Sequence, residues 1–73
     1  MDYSVSDVGE AVSVLEKAGF TVTKQMRHYI ISRNDTLPAA VMFSDGAIAR
    51  SNMNIGEAEY FDEITKALKR LII

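Results

Sequence analysis

Apolar residues recur at three- and four-residue intervals near the start of the chain. Val5, Val8, Ala11, Val12, Leu15 and Ala18 would fall on one stripe of an α-helix. Ser4 stands where it can cap that helix, and Asp7 three residues later completes a capping box. Tyr3 and Val8 suit a hydrophobic staple across the same turn. Gly19, just after Lys17 and Ala18, supplies the left-handed residue on which helices commonly end. Gly9 costs a helix interior about 1 kcal/mol relative to alanine, which predicts close approach of another element there.

From Phe20 the period changes to two. Phe20, Val22 and Met26 alternate with Thr21, Thr23 and Gln25, the pattern of a half-buried strand. Lys24 interrupts its apolar side and places that part near a sheet edge. A second strand runs from His28 to Arg33, after a turn at Met26-Arg27 that no Gly, Pro, Asn or Asp marks. Asn34-Asp35-Thr36-Leu37-Pro38 is a loop by its turn chemistry.

Asp45-Gly46 then separates two apolar runs, Ala40 to Ser44 and Ala47 to Arg50. Such a dipeptide predicts a two-residue type I′ hairpin, because both central residues need positive φ. In that register Phe43 opposes Ile48 and Val41 opposes Arg50. Val41, Phe43 and Ile48 then face the core, whereas Ala40, Met42 and Ala49 face away. The sheet ends at residues 52–54. Asn54 caps a last helix with Glu57 at its third position, and Ala58, Phe61, Ile64, Leu68, Leu71 and Ile72 form its buried stripe. Acids in its first half and bases in its second complement the helix dipole, with Asp62 and Lys66 spaced to pair.

These elements predict one α+β domain over residues 1–73, in two layers and in the order α-β-β-β-β-α. An antiparallel sheet is covered on one face by both helices, and its other face is left open. A three-strand version, with residues 47–51 as an irregular extension, is the alternative.

Composition narrows the chemistry. With 73 residues and no cysteine, neither a disulfide nor a thiolate zinc site supports the fold. A core drawn from 48% hydrophobic residues must supply a net stability of about 4–11 kcal/mol. The N-terminus lacks the basic start and apolar run of a signal peptide, and no apolar stretch approaches a membrane span. A cytoplasmic protein without membrane contact is the expectation. The net charge of −2 is unevenly spread: residues 1–20 carry −3, residues 21–53 carry +2 and residues 54–73 carry −1. A two-charge excess over the sheet falls short of the basic stripe of a nucleic-acid binder.

No nucleophile motif, phosphate-cradling loop or second histidine accompanies His28, and no cofactor or metal is expected. Glu59 and Glu63 lie four apart on a helix beside lysines, the pattern of a solvated face. His28 is the only histidine, the residue type most often used for general acid–base work. Leu15-Glu16-Lys17-Ala18-Gly19-Phe20, followed by a strand and His28, resembles the first half of HicA-type mRNA interferase toxins over about residues 8–33. The resemblance implies a fold like double-stranded-RNA-binding domains, matching the three-strand alternative, and RNA cleavage with His28 as the catalytic residue. Lys24, Arg27 and Arg33 would then hold RNA. Met26-Arg27 stands where that family has a pair of small residues, and the chain is acidic where those toxins are basic.

The primary expectation is a surface. Met42 faces outward with Ile30 beside it, and Arg33 and Arg50 rim the patch, with Arg27 and Lys24 as further partner-binding residues, which suits a protein contact. The functional expectation is therefore a small non-enzymatic protein-binding module. It would act as an inhibitor or accessory protein of phage or mobile-element type through its open sheet face or an edge strand. Its expected partner is a larger protein, with a homodimer and RNA as the other partner classes.

Overall fold

The computed structural model describes residues 2–34, 36–51 and 54–73. The loop residue Asp35 and the sheet end at Asn52 lie outside them. Among the described residues the chain forms a five-stranded antiparallel sheet and two helices in the order β-α-β-β-β-β-α. The strands are β1 (Tyr3–Ser4), β2 (Thr21–Lys24), β3 (His28–Ser32), β4 (Ala40–Phe43) and β5 (Ala47–Arg50). The helices are α1 (Val8–Lys17) and α2 (Ile55–Ala67), and a single 3₁₀ turn, Lys69–Leu71, follows α2. In space the strands run β1-β5-β4-β3-β2. Because β5 pairs with both β4 and β1, it is an integral strand rather than the irregular extension of the three-strand alternative.

The first departure from expectation is at the start of the chain. Tyr3 and Ser4 do not begin a helix but pair with Ile48 and Ala47. α1 starts four residues later, with Asp7 as its N-cap: the Asp7 carboxylate accepts from the Glu10 amide at 3.0 Å. Val5, read as the first residue of the helical stripe, is instead a buried sheet residue bridged to Ile72. Ala11 and Leu15 are the buried residues of α1, and Gly19 follows the helix with φ +95°. Gly9 meets no other element; a Cβ there would touch only Asp7 Oδ1, at 3.5 Å.

The second departure is in the β4–β5 hairpin, and it changes which side chains face out. Met42 opposes Ile48, Val41 opposes Ala49 and Ala40 opposes Arg50, a register one residue away from the two-residue turn. The turn bond runs from Gly46 N to Phe43 O at 2.9 Å. Gly46 is left-handed at φ +96°, whereas Asp45 has no positive φ, so the type I′ geometry is absent. The connection is a three-residue loop in which glycine takes the left-handed bulge position. The Asp45 carboxylate fastens it by accepting from the Ala47 amide at 3.0 Å. A one-residue shift exchanges the two faces of a strand. Met42 is consequently turned inward and fully buried, and Phe43 and Val41 are turned outward.

With that register, Tyr3, Val22, Tyr29, Ile31, Ala40, Met42 and Ile48 project to the helix side. They pack with Leu15 of α1 and Phe61, Ile64 and Leu68 of the α2 end of the chain. Asn54 occupies the N-cap position of α2 with extended backbone, without the expected side-chain capping bond. The Met26-Arg27 turn forms where expected: Gln25 N donates to His28 O at 2.7 Å, and β2 is an edge strand.

Candidate functional site

Opposed residues of an antiparallel ladder project to the same face. The register from strand to strand therefore sets which residues share the face that the helices leave uncovered. Its central row runs Thr23–Ile30–Val41–Ala49 across β2, β3, β4 and β5. A second row places His28 against Phe43, their rings 6.3 Å apart and tilted by 54°. Thr21 and Ser32 form a third pair. None of the outward positions in the five strands carries Asp, Glu, Lys or Arg. A sheet face meant for water usually alternates polar, often charged, residues with inward apolar ones. Here its centre is aliphatic, and Phe43 remains 42% exposed.

Of the residues expected to form the surface, the structure places few together. Ile30 lies in the central row. Met42 contributes no surface because the hairpin register buries it. Arg50 is on the helix side, its guanidinium 4.7 Å from the centre of the Phe61 ring. Arg33 is also turned away: its guanidinium stacks 4.2 Å from the Phe20 ring centre and 5.5 Å from that of Tyr60. Arg33 Nη2 donates to Glu63 Oε1 at 3.2 Å and to the Ala18 carbonyl at 3.4 Å, which ties α1, β3 and α2 together. These two arginines therefore do not rim the open face; they hold the helix layer to the sheet. Lys24 alternates to the helix side at the open edge, and Arg27 sits in the exposed β2–β3 turn.

His28 is half-buried against Phe43. The described residues enclose no cavity around it, and they contain no cluster of three acidic or histidine side chains able to hold a metal ion. The charged side chains invoked for RNA do not converge on it as a group, since Arg33 is engaged by Glu63 and two rings. No helix among the described residues is long and apolar enough to cross a membrane.

Three apolar surface residues do not stand out in the sequence pattern. A two-residue hairpin turns Val41 and Phe43 inward, whereas the observed register turns them outward. Met26, which ends the apolar alternation from Phe20 and also opens the turn with Arg27, stands 98% exposed at the tip of the β2–β3 connection. A large apolar residue in a turn that lacks turn-forming neighbours was the available signal. Neither models of protein families, nor curated proteins, nor solved structures match this chain.

Proposed function

We propose that this chain is a non-enzymatic protein-binding module, of inhibitor or accessory type, that holds a larger protein on its open sheet face. The observation that carries the reading is the uncharged outward row Thr23–Ile30–Val41–Ala49 with Phe43 beside it. The centres of protein contacts are depleted of charge and enriched in aromatic residues, so this composition fits a surface that is covered in use. A polyanion needs the reverse: cations converging on one surface.

The test is recovery from the native host on immobilised protein, comparing wild type with Val41→Lys. Val41 faces outward, so the added charge leaves the core intact. The expected result is a bound protein that is retained by wild type and lost by the variant, with an unchanged thermal midpoint. Equal retention by both would overturn the assignment of this face. Retention of RNA, lost on His28→Ala, would replace it with the nuclease reading.

A further inference from the structure

The two edges of the sheet are finished differently. Outside β1, the end of the chain supplies its own strand-like cover: Ile73 N donates to Ser4 O at 2.9 Å, Ser6 N donates to Leu71 O at 2.8 Å, and Val5 bridges Ile72. No described segment does this for β2. Its hydrogen-bond phase follows from the Gln25 N to His28 O bond. Hydrogen-bonded pairs alternate along an antiparallel ladder, so Thr23/Ile30 and Thr21/Ser32 are the other bonded pairs of β2 and β3. Val22 and Lys24 therefore direct their backbone N–H and C=O groups away from the sheet, along the open edge.

We propose that this edge pairs with the same edge of a second copy, antiparallel, about a two-fold axis at Thr23. That register is self-complementary. Val22 of each copy meets Lys24 of the other as a hydrogen-bonded pair, so the N–H and C=O of both residues are satisfied in both copies. The two Thr23 side chains become direct cross-strand neighbours on the outer face, a favourable pairing. Each Lys24 faces a valine rather than the other lysine, which avoids a like-charge pair directly across the strands. The cover on β1 stops growth at two copies, because among the described residues β2 is the sheet edge that no other segment covers. The row Thr23–Ile30–Val41–Ala49 then continues across the axis into its symmetry copy. Two four-residue strands bury less than the roughly 1,200 Å² of a standard interface, so the dimer is concentration-dependent.

Sedimentation of the intact protein between about 10 μM and about 1 mM, joined to amide hydrogen exchange, tests it. The expected result is a mass that rises toward twice that of the chain, while the Val22 and Lys24 amides gain protection in step. The Thr23 amide, bonded to β3, stays protected throughout. Lys24→Pro removes only an outward N–H, which an edge strand tolerates. It should raise the dissociation constant at least about tenfold and leave the thermal midpoint in place, whereas Val41→Lys should leave dimerisation intact. A single-chain mass across the whole range overturns the proposal, as does a dimer whose Val22 and Lys24 amides remain unprotected. If Lys24→Pro fails to fold, the exchange pattern of the wild type decides.

Discussion

Gly46 and the backbone of Val5 are packed so closely that no side chain fits between them. A Cβ on Gly46 would stand 2.5 Å from the Val5 carbonyl oxygen, and the Val5 amide donates to the Gly46 carbonyl at 2.9 Å. The same glycine is left-handed at φ +96°, so its missing side chain serves two ends. It closes the β4–β5 hairpin, and it lets the segment after β1 lie against that turn. Gly46→Ala should therefore cost about 2 kcal/mol or more, through both backbone strain and displacement of Val5. Urea denaturation reads the loss. An unchanged midpoint would mean that the segment after β1 does not sit on this turn.

Gly9 is the opposite case. It is exposed in the first turn of α1, with room for a Cβ. Gly9→Ala should stabilise the fold by about 0.5–1 kcal/mol, mainly by reducing the freedom of the unfolded chain. A destabilised variant would show that another surface does approach this point.

The Arg33 cluster separates packing from charge. Arg33→Ala removes the stacking on Phe20 and Tyr60 together with the Glu63 contact, and should cost about 1–2 kcal/mol. Glu63→Gln removes only a charge that is largely exposed, and should cost less than about 1 kcal/mol. Chemical denaturation of the two variants side by side gives the comparison. Equal losses would mean that the ion pair, rather than the rings, holds Arg33.

Tyr3 couples stability to alkaline pH. Burial raises its pKa above the ordinary 10.0, the Thr65 hydrogen bond at 2.8 Å opposes the rise, and the charge of Asp2 adds to it. The folded state thus holds the phenol proton more tightly than the unfolded state. This contribution is complete below pH 10.0 and is lost as pH climbs through the higher folded value. Tyr3→Phe should be less stable at neutral pH, through loss of the Thr65 bond. Its stability should also decline less steeply than that of wild type above pH 10.0. Parallel decline in melting curves across that range would remove Tyr3 as the source.

Much of this architecture is legible in the residues. The stripe of Phe61, Ile64 and Leu68, the stop at Gly19 and the edge position of β2 follow from local periodicity and turn chemistry. β1 does not, because a two-residue strand has no period; it exists through its bonds to β5 and to the end of the chain. The hairpin register is also non-local information. Asp-Gly marks where the chain reverses, but a glycine occupies a left-handed position in both the two-residue turn and the three-residue bulged turn. The alternation of Val41, Met42 and Phe43 is apolar on both sides, so it could not choose between them. The two-residue alternative would put Met42 on the surface and hide Val41 and Phe43, the reverse of the observed burial. The places of Arg33 and Arg50 are non-local as well: their aromatic partners, Phe20, Tyr60 and Phe61, come from distant parts of the chain.

The assignment of faces is tested most directly by the unfolding free energies of Met42→Asp and Phe43→Asp, adjacent residues on opposite sides of one strand. Met42 is fully buried, so a carboxylate there should cost more than about 3 kcal/mol or prevent folding altogether. Phe43 is 42% exposed on the open face, and the same change should cost no more than about 1 kcal/mol. The reverse order, with Phe43→Asp unfolded and Met42→Asp tolerated, would restore the two-residue register and contradict the uncharged outer row on which the proposed contact rests.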